Sequence, residues 1–284
     1  MFTNQNNNST LKKEKLTIDV CDKPTIEDLK EIDKEENSCF KFNNKSKNAF
    51  IECYKDEDYY LDYYKTFGKP YIYGLYEKNS DTKEKKMIGT ISLIYRFDTK
   101  VCHIMDLKIK KSHRGKGGIL KFIRSTLFNR LINNKGYYGI SMDTNTIIEN
   151  LANKIILPKM KNRGKMLIYL ISFDELVKCL DILSSFYCSE IGFIDNTKIR
   201  TFIDFTTKKP YKILHLHHNA EYREHFDFRE PQRGFQYCFS IHESNEYIIQ
   251  ELKDKFKVTS SSSATIYSND FKTDWSKFVK TFEI

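Results

Sequence analysis

Arg114, Gly115, Lys116, Gly117 and Gly118 stand where an extended apolar run ending at Leu107 to Ile109 gives way to a helical pattern from Ile119 onward. That is the chemistry of an anion cradle. Gly115, Gly117 and Gly118 let the backbone turn with no Cβ in the way, so consecutive N–H groups and the positive end of the following helix converge on one point. The anion implied is a pyrophosphate, with Arg114, Lys116 and Lys121 adding positive charge beside it. The alternative is a solvated basic turn that only punctuates strand and helix.

The elements around that turn must position it. Leu16 to Cys21 alternates as a short strand, and Pro24-Thr25-Ile26-Glu27-Asp28 reads as a capped helix start with acids in its first turn. Tyr59 to Phe67 gives a second helical stretch. Pro70 to Glu77, Met87 to Phe97 and Val101 to Ile109 are strand-like runs rich in Ile, Tyr and Val, and three in succession predict an antiparallel meander. Ile119, Ile123, Leu127 and Leu131 recur at helical spacing, so Gly118 to Asn133 is an amphipathic helix ended by Gly136. Tyr137 to Met142 reads as a strand, Ile147 to Leu157 as a helix stopped at Pro158, and Met166 to Phe173 as another strand.

A fresh set of elements follows. Leu176 to Phe186 is helical, Arg200 to Thr206, Tyr211 to His217 and Phe235 to Ile241 are strand-like, Glu243 to Phe256 is helical and Thr259 to Ser268 is a last strand. The fold class predicted is α/β of the α+β kind, a mixed and mostly antiparallel central sheet flanked by helices, with an additional α+β C-terminal portion. The expected division is a disordered Asn-rich leader over 1–15, a domain over 16–175 and an accessory region over 176–284.

Read back from Arg114, the segment resembles the coenzyme A signature of the GNAT acetyltransferases: Arg or Gln, two residues, Gly, one residue, then Gly or Ala, at the end of a central strand. Arg114 and Gly117 match; Ile119 stands at the small-residue position, one place after Gly118. Ile109 and Leu107 supply the apolar strand positions before it. The resemblance implies a GNAT domain over 16–175 and acetyl-CoA as cosubstrate. Its pyrophosphate would lie on Gly115, Lys116, Gly117, Gly118 and Ile119, and its pantetheine arm would pair with the main chain of Leu107, Lys108 and Ile109, as a strand-adding ligand does.

Acetyl transfer needs a neutral amine, and an alkylammonium titrating near ~10 must first lose its proton. In some members a strand Glu eleven residues before the motif takes it, and His103 occupies that place here. A neutral imidazole is a sensible base; Asp106 is the second candidate. Each has a plainer reading, as a satisfied strand-end histidine and a solvated strand residue. The family's Asn-x-x-Ala-x-x-x-Tyr pattern keeps Ala152, but Glu149 and Ile156 stand at the Asn and Tyr places. The general acid therefore does not carry over, with Asn145 and Asn150 as nearby polar groups. The acidic and aromatic run from Lys55 to Tyr64, with Asp58 and Asp62, suits a cationic amine or a lysine side chain as acceptor. The competing reading of the whole is a non-catalytic GNAT-fold module that binds coenzyme A or a protein.

Composition sets the bounds. The chain has 284 residues, 40% hydrophobic and 14% aromatic, enough to bury a core. No apolar run reaches the ~20 residues of a membrane span, and the start lacks the apolar segment of a secretory signal. The seven cysteines form no CxxC pair and read as reduced thiols of a cytoplasmic protein. A net charge of +9 favours anionic ligands, but the lysines are dispersed and no motif for specific nucleic-acid recognition is present. His215 and His217 share a strand face, with His218 and His225 following; without paired cysteines or an HExxH helix, no metal is expected. The C-terminal region, which lacks an Arg-Gly-x-Gly turn, is expected to be accessory, a degenerate second GNAT-like half being one form of it.

Overall fold

The β-branched and aromatic runs become strands, and two of the helices start where a side chain satisfies one of their first N–H groups. The computed structural model describes residues 17–21, 24–35, 39–42, 47–53, 64–65, 68–78, 84–97, 101–115, 136–143, 160–187, 191–195, 200–204, 207–217, 228–270, 272–278 and 281. The first half contains β1 (Thr17–Cys21), α1 (Ile26–Glu35), β2 (Cys39–Phe42), β3 (Lys47–Cys53), β4 (Gly68–Lys78), β5 (Lys85–Arg96), β6 (Cys102–Ile109), β7 (Tyr137–Met142) and β8 (Lys161–Ser172). The second contains α2 (Phe173–Tyr187), β9 (Gly192–Asp195), β10 (Arg200–Asp204), β11 (Pro210–Tyr211), β12 (Ile213–His217), β13 (Phe228–Arg229), β14 (Gln236–His242), α3 (Glu246–Asp254), β15 (Ser262–Ser268) and α4 (Trp275–Phe278).

Thr25 starts α1. Its hydroxyl accepts from the Asp28 N–H at 3.2 Å and donates to Asp28 Oδ2 at 2.9 Å, and Tyr76 donates to the same carboxylate at 2.8 Å, fastening the helix to β4. Leu29 and Ile32 then pack on Ile72, Tyr76, Met87 and Ile94, a burial that stabilises by about 1.5–3 kcal/mol per side chain. Ser172 and Glu175 form the reciprocal capping box of α2: the Ser172 N–H donates to Glu175 Oε2 at 2.7 Å and the Glu175 N–H to Ser172 Oγ at 3.4 Å. Leu176, Cys179 and Leu183 of α2 join Ile248 and Leu252 of α3 over Tyr169, Tyr237 and Phe239.

Among the described residues, eleven strands form one sheet in the order β1-β4-β5-β6-β7-β15-β8-β14-β12-β9-β13, and β11-β10-β3-β2 form a small second sheet. Two pairs in the large sheet are parallel, β6 with β7 and β12 with β14; the rest are antiparallel. The mixed, mostly antiparallel α+β fold is thus as expected, including the meander β4-β5-β6.

An approximate twofold relation runs between β15 and β8. Outward from it, one side reads β7, β6, β5, β4 and the other β14, β12, β9, β13, each with its parallel pair in the same place. The central strands are exchanged. β8 follows β7 in sequence yet pairs with β14, and β15 follows β14 yet pairs with β7. Strands from both sides of residue 175 therefore interleave in one sheet. On the α1 face, Ile194 of β9 and Phe228 of β13 join the cluster of Leu29, Ile32 and Tyr64, so the two wings of the sheet fold toward each other there.

Some elements differ from expectation. The strand expected at Met166 begins at Lys161, and the run Tyr211 to His217 breaks at Lys212 into β11 and β12, which lie in different sheets. Strands β2, β3, β9 and β13 carry too little alternation to announce themselves. The leader and the expected helices at 118–133 and 147–157 lie outside the described residues.

Candidate functional site

The parallel pair β6 and β7 opens into a parting. The two strands pair from Cys102↔Tyr137 through Ile104↔Gly139 and no further, while β6 runs on to Ile109 and β7 to Met142. On its other edge β7 pairs with β15 from Tyr138↔Ser268 to Met142↔Ala264, so that pairing runs on past the point where β6 leaves. The parting begins where β6 is irregular. Met105 pairs with Ser92 and Lys108 with Thr90, so Asp106 and Leu107 together oppose Ile91 in a β-bulge. Asp106 has φ 55°, a left-handed conformation that Asp adopts more readily than most side chains.

The bulge resets the alternation. Lys110 N–H donates to the Ile88 carbonyl at 2.9 Å, and Lys108 pairs with Thr90, so the main-chain groups of Leu107 and Ile109 turn to the β7 side, away from β5. Side chains follow the same rule. Leu107 and Ile109 pack with Ile104 and Cys102 on one face; Asp106 meets Tyr64 and Lys108 on the other.

Asp106 is held at both oxygens: Lys108 Nζ lies 2.6 Å from Oδ1 and the Tyr64 hydroxyl donates to Oδ2 at 3.2 Å. Tyr64 is buried in the α1 cluster, and Met105 and Phe228 pack on that cluster. Further along, Lys110, 3% exposed, pairs with Glu31 at 2.6 Å, and His113 pairs with Glu77 at 3.1 Å. Arg114 Nε donates to the Ile109 carbonyl at 3.0 Å, folding the turn back on the strand end. Gly115 has φ 79° and is exposed, and among the described residues a Cβ there meets nothing within 4 Å. Lys116, Gly117, Gly118 and Ile119 lie outside the described residues, as do 54–63 and residues Asn145, Glu149, Asn150, Ala152 and Ile156.

His103 is placed differently from Asp106. It is 1% exposed, stacks on Tyr138 with ring centres 4.3 Å apart, and its Nδ1 has no hydrogen-bond partner among the described residues. Burial, with the nearby Arg96 charge second, pushes the imidazole down to about 3. Arg96 itself is buried and donates to the Tyr138 hydroxyl at 3.2 Å. Trp275 of α4 covers Tyr138 at 5.1 Å. His103 is thus a neutral core residue, whereas the Asp106 side chain keeps 13% of its surface exposed. Sequence spacing does not separate the two, because burial at these positions depends on partners outside β6.

The other sequence candidates fall outside this site. His215 shares Nδ1 with the Thr281 hydroxyl at 3.1 Å and His217 packs edge-on against Phe228; His218 and His225 lie outside the described residues. Among the described residues, no group of three or more His, Cys, Asp or Glu could hold a metal ion. Burial pushes the thiols of Cys102, Cys179 and Cys238 up to about 12, 11 and 12, so all three are inert core groups. No helix among the described residues is long and apolar enough to cross a membrane. The residues that sequence reading underused are Tyr64, noted only within an acidic run, and the side chain of Lys108, counted only for its main chain.

No family model and no curated protein matches this chain. Solved structures similar to it include a tandem GNAT protein from the clavulanic acid biosynthesis pathway, at 7% identity over 89% of this chain and 98% of that one, with a TM-score of 0.48. A GNAT-family acetyltransferase from Staphylococcus aureus Mu50 is similar at 17% identity over 52% of this chain and 86% of that one, TM-score 0.35. A spermidine N-acetyltransferase from Vibrio cholerae is similar at 14% identity over 54% and 83%, TM-score 0.37.

Proposed function

We propose that this chain is a GNAT-type N-acetyltransferase, which moves the acetyl group of acetyl-CoA to a primary amine by direct attack within one ternary complex. The observation that carries the reading is the parting of β6 from β7 beside the bulge at Asp106. Leu107 and Ile109 turn main-chain groups into that parting, which suits the amide-rich pantetheine arm of coenzyme A. Arg114 and the left-handed Gly115 open the turn whose continuation, Lys116 to Ile119, suits its pyrophosphate. Bound there, acetyl-CoA supplies an activated acyl group.

The chain's own residues do the rest. Asp106 receives the acceptor's ammonium as a counter-charge and takes its proton on toward solvent, leaving a nitrogen lone pair free to attack. Tyr64 fixes the orientation of the Asp106 carboxylate. Phe228 and Met105 supply an apolar wall that keeps bulk water off the acceptor, so positioning provides most of the rate. A small amine suits a recess bounded by these side chains. Residues 176–284 act as a second GNAT-like half without a cofactor turn, contributing Phe228 to the wall and β15 to the sheet.

Calorimetric titration with acetyl-CoA, followed in the same sample by thiol release against polyamines, aminoglycosides and lysine peptides, tests the proposal. Binding with turnover on one amine class is the expected result. Binding without turnover on any of them selects the non-catalytic module instead, and no binding refutes the reading of the β6–β7 parting.

A further inference from the structure

The mouth of the parting already holds a primary amine. Lys108 Nζ stands 2.6 Å from Asp106 Oδ1, with 21% of the lysine side chain and 13% of the aspartate side chain exposed. Strand geometry explains the position. Lys108 gives its main chain to β5 through Thr90, and its side chain shares the α1 face with Asp106 and Tyr64. Its neighbours Leu107 and Ile109 turn their main chains into the parting, one strand residue, ~3.3 Å, to either side. The nearby lysines are placed otherwise. Lys110 is 3% exposed and locked to Glu31, and Lys86 stands 4.0 Å from the same carboxylate with 66% of its side chain in solvent.

We infer that Lys108 is itself an acetyl acceptor: the protein acetylates Lys108 from acetyl-CoA through the Lys108–Asp106 pair at the mouth of the β6–β7 parting. The inference rests on the reading of that parting as the acetyl-CoA site. Asp106 takes a proton from the Lys108 ammonium and passes it to solvent. The Nζ lone pair forms an N–C bond with the thioester carbonyl carbon, the nitrogen gives up its second proton to solvent, the C–S bond breaks, and the sulfur leaves with its electron pair and takes one proton from solvent, so one proton is released overall. Nothing is oxidised or reduced, and the products are Nζ-acetyl-Lys108 and free coenzyme A.

The test incubates the full-length chain with acetyl-CoA, measures binding by calorimetry, and follows intact mass and peptide maps with time. One acetyl group per chain is expected at Lys108, added at least about tenfold faster than at Lys86, because the amine is already positioned. Asp106→Asn should slow it about a hundredfold, and Lys108→Arg should abolish the mass gain at that position. Acetyl-CoA binding with Lys108 unlabelled, or labelled no faster than Lys86, overturns the inference and leaves the proposed function standing. Failure of acetyl-CoA to bind overturns both. The Lys108 to Lys86 ratio is read on wild-type protein, so it decides the matter whether or not a variant folds.

Discussion

Ile266 sits in the middle of β15, fully buried against Val101, Tyr138, Met166 and Trp275, and opposite Ile140, where β7 leaves β6. Replacing it with Ala removes three carbons from a cluster in which rings and strands on every side limit collapse. The expected cost is about 3 kcal/mol, within the range for buried Ile→Ala changes. For a chain of this size that lowers the melting temperature by about 6–12 °C. The single tryptophan of the chain is Trp275, which lies on Tyr138 in the first half. Its residue neighbour Ser276 accepts from Asn245 Nδ2 in the second half at 3.3 Å. Tryptophan fluorescence and far-UV circular dichroism should therefore report one coincident unfolding transition in wild type and variant alike, since neither half completes its sheet alone. Acetyl-CoA affinity should fall with the variant, because Ile266 backs β7 at Ile140, the first residue past its pairing with β6. Two separated transitions, or a loss under about 1 kcal/mol, would refute the claim that the exchanged strand unites the halves.

Gly89→Ala should act directly on the bulge. A Cβ there comes within 2.5 Å of Ile109 Cδ1, which can swing, and 2.8 Å of the Lys108 carbonyl, which cannot; a destabilisation of about 1–3 kcal/mol with weaker acetyl-CoA binding is expected by denaturant melts and calorimetry. His103, ordinarily near 6.5, is held at about 3 when folded, so between those values the unfolded chain binds more protons. Stability from its neutral burial is complete above about pH 6.5 and declines as pH falls toward 3; His103→Phe should flatten the loss between about pH 7.5 and 5 seen in urea midpoints. Partial burial raises the Asp143 carboxyl, but hydrogen bonds from Ser263, Lys165 and Thr265 together with the Lys165 charge outweigh it and hold it below its ordinary 3.8. That contribution is present above the unfolded value and is lost as pH falls through the folded one, so Asp143→Asn should lower melting temperatures above about pH 5, and the gap from wild type should close as pH falls below about 4.

Local signals are legible in the sequence, and strand partnerships are not. Tyr137 to Met142 is a strand with the bounds that its composition predicts, and Thr25 and the acids of α1 start that helix where capping chemistry says they should. The meander β4-β5-β6 follows from three β-rich runs joined by short connections. The return of Ser262–Ser268 to the side of β7 left no mark, because which strand an alternating run pairs with depends on residues far away. The site divides the same way. Arg114 and Gly115 announce a turn by residue type. The bulge at Asp106 has no glycine to advertise its left-handed backbone, and the burial of His103 comes with its stacking on Tyr138 of β7, a partner no spacing rule connects to it. Tyr64 could have been found as the one tyrosine of its run followed by the start of β4, yet only the fold brings it to Asp106.

The crossing of β8 and β15 also sets a schedule for biosynthesis. Met142 leaves the ribosome 120 positions before Ser262 (262 minus 142), which at about 5–20 residues per second is about 6–24 s of waiting. Through that interval the β7 main chain from Tyr138 to Met142 has a bare side where β15 will dock, an open template for any strand nearby, including the same segment on a neighbouring polysome. Slowing translation over the second half should therefore raise the insoluble fraction of this chain in proportion to the delay.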